Sequence, residues 1–342
     1  MDALDVIERI DRSGVTRGLG DRGFSDIREK FFKGVQFSDP PGDPGWFGPD
    51  SPVWYVHSHV PLVQVALAAA AMMETLHPDM AWMAYEHTRV LERIDGVPTG
   101  HHDRDAMASR AGHSFAFFLG TTMVATPVAE RLARVVNAMH DRVHGVRPDG
   151  RSYRANDPEL LHWNYATIVW ALAASHERYH PRPLRGAELD AFYREYTRVG
   201  HALGATDLPD SKAGIAEYLE DSLPLLGVTM PTVRLLNPLA PWRHPKSVRP
   251  VISLVHWAVQ DLQPSWAQEL LNVRQLSRPQ KAAKRTATKA LLTAARGAGQ
   301  VREIEQAYER AAPTTGSVGH GTGEPTGRDR LPASLTHQVT TP

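Results

Sequence analysis

Apolar residues recur every three to four positions along most of this chain, and alternating, strand-like stretches are scarce. The spacing predicts a buried helix from Pro61 to His77, stopped by Pro78, and a further helix over Met80–Arg93. A polar loop over Asp95–Asp103 and a helix over 105–119, ending near Gly120, follow. Thr126-Pro127 reads as a helix start, with Thr126 as cap and Pro127 in the first turn. Leu132, Val135, Val136, Met139 and Val143 then form its inward stripe, and Gly145 closes it. Asp157-Pro158 opens a helix running to about Tyr179. Further helices are expected over Ala187–Leu203, Ala213–Leu223 and Pro250–Gln260. Residues 1–35 read as short amphipathic helices, and 38–52, dense in Pro and Gly, as a rigid loop.

The fold class expected is all-α: one large helical domain over 20–270, a basic helical extension over 271–310, and a disordered tail over 311–342. The extension carries Arg274, Arg278, Lys281, Lys284, Arg285, Lys289 and Arg296 with no acid between them, which suits a solvated helical face. The tail is mostly Thr, Pro, Gly and Ser, with too few apolar residues to build a core.

Composition narrows the chemistry. Lys plus Arg equals Asp plus Glu at 38 each, which argues against a dedicated nucleic-acid binder. The absence of cysteine removes disulfides, thiolate metal sites and thiol nucleophiles together, leaving 17 histidines as the main nitrogen ligands. Met1 is followed by Asp2, Asp5 and Glu8, the wrong charge for a secretory signal. The apolar run Val60–Met73 is too short to span a bilayer, so no stable membrane insertion is expected and the expected location is cytoplasmic.

The most informative stretch is Ala129–Thr167. His140 lies four residues after Val136 and eight after Leu132, so it projects beside the apolar stripe. Such an imidazole is either a core histidine bonded to a backbone carbonyl or an axial metal ligand. His144 follows one turn on, and Arg142 and Arg147 are nearby cations able to meet carboxylates. Tyr165 lies on the stripe Leu161, Tyr165, Ile168, Leu172, and its phenol either bonds a carbonyl or faces a ligand. Two other patterns compete. Glu74-x-x-His77 and Glu159-x-x-His162, with Glu86 and Glu195, have the composition of a di-iron carboxylate site. His176-Glu177-x-x-His180 matches a zinc-hydrolase pattern, with a third ligand sought in Glu195 or His201. His57-x-His59 is a further metal-compatible pair. Phosphate loops, dinucleotide fingerprints and nucleophile elbows do not occur.

Several blocks, taken in order, resemble the MpaB/latex-clearing-protein (rubber oxygenase) family. They are Gly45-x-Phe47-Gly48-Pro49-x-Ser51-x-x-Trp54; Leu76-His77-Pro78 with Glu86-His87-Thr88; Leu119-Gly120-Thr121; Met139-His140-x-x-Val143-x-Gly145; and Tyr153-x-Ala155-x-Asp157-Pro158-Glu159-Leu160-Leu161-x-Trp163. The resemblance covers about 40–225 and implies an all-α domain enclosing a haem b pocket, its iron bound by His140. It implies a haem-dependent oxygenase that uses dioxygen on a small apolar or aromatic metabolite, with oxidative C=C or C–C cleavage as the reaction of characterised relatives. The residues it marks are His140 as metal ligand; His144, Arg142, Trp54, His77 and Trp163 around the cofactor; and Tyr165, Arg110 and His87 as catalytic candidates. This chain has Tyr165 where the family usually has a pocket His, and only Ser109 and Arg110 stand near the family's Arg and Thr pair. Expected partners are the substrate, dioxygen and an external reductant, with a homodimer open. A haem-binding sensor or carrier without turnover is the alternative of a different class.

Overall fold

The computed structural model describes residues 35–312, apart from 103, 238–239, 245 and 299–301. After an irregular N-terminal stretch come α1 (Pro52–His57), α2 (Val60–Glu74), α3 (Pro78–His87), β1 (Leu91–Ile94), β2 (Val97–His102), α4 (Arg104–Met123) and α5 (Thr126–His140). Next are β3 (His144–Val146), β4 (Ser152–Arg154), α6 (Pro158–Tyr179), α7 (Ala187–Ala202), α8 (Lys212–Asp221) and α9 (Met230–Leu236). The chain continues with α10 (Arg249–Leu262), α11 (Ser265–Leu270), α12 (Arg278–Ala298) and α13 (Arg302–Ala311), and 3-10 turns stand at Leu223–Leu225 and Pro241–Arg243. The two β pairs are separate antiparallel hairpins, so the fold is all-α in its architecture.

α2 and α6 form the centre because both are apolar nearly all round, the pattern of a helix covered on every side. They run antiparallel. Ser175 Oγ donates to the Leu62 carbonyl (3.0 Å) at one end, and Trp163 Nε1 to the Glu74 carbonyl (3.4 Å) at the other. The ends of α6 follow its sequence: Asp157 accepts from the Glu159 amide, Pro158 takes the first helical position, and Pro181 follows the last cap residue. α12 packs on α2, α6 and α10, with Lys284 over the Trp257 ring and Leu292 buried. α13 closes the far side: its buried Arg310 donates to the carbonyls of Phe37, Asp43 and Met123. Gly45 has φ +73°, and a Cβ there would collide with the Val124 carbonyl, so only glycine lets the N-terminal loop lie this close.

No single helix among the described residues is long and apolar enough to cross a membrane; α2 and α3 pass together by length and composition but are bent by 108°.

The structure corrects several expected elements. The first buried helix stops at Glu74, and α3 ends at His87 rather than Arg93. Residues 91–102 form a hairpin, not helix end and loop, because Asp95 and Gly96 both take positive φ, as a tight hairpin turn requires. Thr126 is already helical; the preceding Ala125 is the cap residue, and Asp43 from the N-terminal loop accepts from the Thr126 amide instead. α5 ends at His140, and Gly145 lies in β3. Its stripe is also turned: Val135 and Met139 are exposed, while Ala129 and Ala133 face inward. Two alanines allow close approach to α4 and α7 at the expense of exposing the larger side chains. α1, α9 and α11 were not anticipated. The helices expected over 1–35 and the tail from 313 onward lie outside the described residues.

The hairpin β3–β4 explains two of the sequence blocks. It pairs Gly145 with Tyr153, and the Ala155 amide donates to the Val143 carbonyl (2.9 Å). The Tyr153 ring lies across Gly145, where a Cβ would overlap its hydroxyl, and that hydroxyl bonds Glu86. Gly145→Ala is therefore expected to lower stability by about 1–3 kcal/mol through displacement of Tyr153. Thermal unfolding measures this; an unchanged midpoint would mean that the ring has room to yield.

Candidate functional site

Glu74 is the last residue of α2 and turns toward α6. Its Oε1 accepts from Asn164 Nδ2 (2.9 Å) and lies 3.5 Å from Thr167 Oγ1. Burial pushes its carboxyl up to about 7, while Arg110 and the bonds from Asn164 and Thr167 act in the opposite direction. Arg110, exposed on α4, also acts on His140. His140 ends α5; its Nδ1 is buried and has no hydrogen-bond partner. Burial first, and Arg110 second, hold this imidazole below its ordinary pKa, so it is neutral at pH 7 and keeps a lone pair. A buried imidazole that is neutral and keeps an unbonded ring nitrogen has the chemistry of a metal-ligating histidine.

Asn164 also lines an apolar crevice between α4, α6 and α7, with Phe118, Tyr165, Ile168, Tyr196 and Val199 as walls. Tyr165 combines both expected roles: its hydroxyl donates to the Pro209 carbonyl (3.0 Å), and its ring faces the crevice. Burial raises its pKa far above the usual phenol range, so it stays protonated.

Of the residues marked by the sequence, Arg110 acts on both Glu74 and His140, Trp163 donates to the Glu74 carbonyl from α6, and Tyr165 on the same helix lines the crevice. The others occupy different surroundings. Trp54 is buried in the core, its indole donating to the Thr122 carbonyl (2.7 Å) and its ring meeting Tyr308 edge-on. His77 caps α3 through Nδ1 and bonds Glu159 through Nε2 (3.1 Å). His87 stands beside Tyr153 (3.3 Å), and His144 and Arg142 are exposed near β3. Arg147 is engaged by buried Asp79 (2.7 Å), with Arg151 bridging Asp79 and Glu159.

The di-iron ligand set does not converge. Glu74 serves Asn164, Glu86 bonds Tyr153, Glu159 bonds His77, and Glu195 accepts from Ser51, the N-cap of α1. The His-Glu-x-x-His pattern is also divided. His176 and His180 stack nearly parallel, centroids 4.2 Å apart, but Leu184 and Arg182 amides occupy their Nδ1 atoms. Glu177 turns away into a second cleft of about 520 Å³, where Lys212 binds it at 2.7 Å. Among the described residues no three His, Asp or Glu side chains are placed to hold a metal ion together. The fold nevertheless brings His59 to this pair, its centroid 5.2 Å from that of His180, while His57 stacks on Tyr196. Burial keeps all three of His57, His59 and His176 neutral: His57 is lowered to about 4, the other two well below their ordinary value.

Sequence reasoning saw Glu74 only as half of a Glu-x-x-His pattern. The signal that separates the two residues is Pro78, which ends one helix and starts another, leaving Glu74 and His77 on different elements.

The helical body thus holds an apolar crevice whose Asn164 also bonds Glu74, a carboxyl poised near neutrality, and, within electrostatic reach of the same Arg110, the neutral imidazole of His140. The catalytic-domain profile of the ER-bound oxygenase mpaB/B′ and rubber oxygenase family matches residues 54–297, and the chain belongs to that family. No curated protein and no solved structure matches it. Family membership makes it an oxygenase, an oxidoreductase that acts with dioxygen on a substrate.

Proposed function

We propose that this protein is a haem b-dependent oxygenase in which His140 is the single protein ligand to iron. The carrying observation is the buried Nδ1 of His140, a donor nitrogen without a partner in a chain of an oxygenase family. Bound haem would supply dioxygen activation. His140 contributes a neutral lone pair, and Asn156 beside it favours the charged form, partly offsetting burial. Glu74 holds or releases a proton near neutral pH, positioned by Asn164 and Thr167. Arg110 biases that carboxyl toward its anion. The apolar walls Phe118, Tyr165, Ile168 and Tyr196 favour a small apolar or aromatic substrate over a polar one, with C=C or C–C cleavage as the reaction class. An external reductant completes the reading.

An absorption spectrum of protein purified from iron- and porphyrin-supplied cells, before and after dithionite and carbon monoxide, tests it. An intense Soret band that shifts with carbon monoxide is expected; a colourless preparation would end the proposal. Oxygen consumption should also show a limb near pH 7 from Glu74. Glu74→Gln is expected to erase that limb and slow turnover at least about tenfold with haem retained. A wild-type pH profile in the variant would remove Glu74 from proton handling.

A further inference from the structure

We propose that Tyr196 determines which substrates the crevice accepts: its hydroxyl donates a hydrogen bond to an oxygen on an otherwise apolar molecule bound between α4, α6 and α7. The inference rests on the reading of that crevice as the substrate site. Three of the side chains that line it carry polar atoms: Asn164, Tyr165 and Tyr196. Asn164 gives its amide to Glu74 (2.9 Å), and Tyr165 gives its hydroxyl to the Pro209 carbonyl (3.0 Å). Tyr196 is 1% exposed, and its Oη has no hydrogen-bond partner. A buried hydroxyl left unpaired is costly, so one that belongs to the wall of a crevice marks the place of an acceptor that arrives with the ligand.

The donor is held by its neighbours. His57 stacks on the Tyr196 ring (centroids 5.7 Å apart, planes 14° apart), and Phe192, one turn earlier on α7, packs on it at a tilt (5.4 Å). A stacked imidazole covers the face of the ring, whereas the phenol O–H lies in the ring plane, so the stacking does not supply the acceptor. Gly200, one turn later, lets α7 lie close to α6, since a Cβ there would stand 2.8 Å from Tyr165 Cδ2. Burial raises the Tyr196 phenol far above its ordinary range, so it stays protonated and able to donate. The ligand class that follows is a ketone, ether or alcohol on an apolar or aromatic body. A pure hydrocarbon of the same shape would leave the hydroxyl unpaired and bind more weakly.

Acetophenone and α-methylstyrene test this, because they share a shape and differ by a carbonyl oxygen in place of a methylene group. Titration calorimetry on the full chain should show acetophenone binding about tenfold more tightly, and Tyr196→Phe should remove the difference by weakening acetophenone alone. Ligand-free Tyr196→Phe should melt at or above the wild-type temperature, because the substitution deletes an unpaired buried hydroxyl. Equal affinities in the wild type, no binding of either compound, or a preference that survives Tyr196→Phe would overturn the proposal. A lowered melting temperature of Tyr196→Phe would overturn it as well, by assigning the hydroxyl to a bond inside the protein or to a resident water. Equal affinities in a protein with a Soret band would end this inference alone, and a colourless protein that keeps the preference would end the haem reading alone.

Discussion

His140→Ala is expected to purify without a Soret band, retaining less than about a tenth of the wild-type haem. The reasoning lies in what surrounds the position. The chain has no cysteine, and Met139, the neighbouring residue, points outward at 52% exposure. His144 is exposed on β3, and His87, at the end of α3, stands against Tyr153. Neither presents a buried, partnerless nitrogen as His140 does. Removing the imidazole also removes the neutral base that Arg110 and burial together maintain. Because His140 is the last residue of α5 and only partly buried, its truncation should leave the fold intact, and circular dichroism checks this. A folded variant with full haem and an unchanged spectrum would move the ligand to His144 or His87.

Much of the architecture around this residue was legible from the chain. The centre was readable because α2 and α6 are long, apolar and bounded by prolines, so their existence follows from composition and punctuation. α6 was placed almost to the residue, since Asp157-Pro158 and Pro181 bracket it. The hairpins were less visible. β1–β2 depends on Asp95-Gly96, a turn signal hidden in a polar stretch, and β3–β4 depends on Gly145 accepting Tyr153, a contact eight residues away. Gly145 reads equally well as a helix terminator, and only the ring lying on it decides between the two. The candidate site was legible in part. His140 stands out on its helix, but the action of Arg110 on both His140 and Glu74 involves α2, α4 and α5, and no periodicity within one helix encodes that. Val135 and Met139 show the converse: their spacing fits an inward stripe, but Ala129 and Ala133 give the closer packing.

The same packing sets the protein's response to acid. His57 is fully buried, stacks on Tyr196, and bonds the Val53 carbonyl through Nδ1 while its Nε2 has no partner. Burial lowers it to about 4, the Val53 bond acting weakly the other way. Its unfolded value is about 6.5, so between these limits the unfolded chain binds the extra proton and stability falls as pH falls. At 1.36 kcal/mol per unit, His57 alone should remove about 2–3 kcal/mol by pH 4.5. His59 and His176, lowered further still, add in the same direction. Glu74 opposes them: its raised pKa means the folded state takes up a proton first, a gain as pH drops from about 7. One carboxyl offsets roughly one imidazole, so the cluster prevails and acid destabilises the protein above the pH range where surface carboxylates titrate. His57→Gln isolates the contribution, because glutamine stays neutral throughout and any packing cost it brings is independent of pH. Urea unfolding at pH 7 and pH 4.5 should show the wild type losing about 2–3 kcal/mol more than His57→Gln over that interval. Equal losses would mean that His57 is already protonated in the folded protein, with an acceptor or a solvent path to its Nε2.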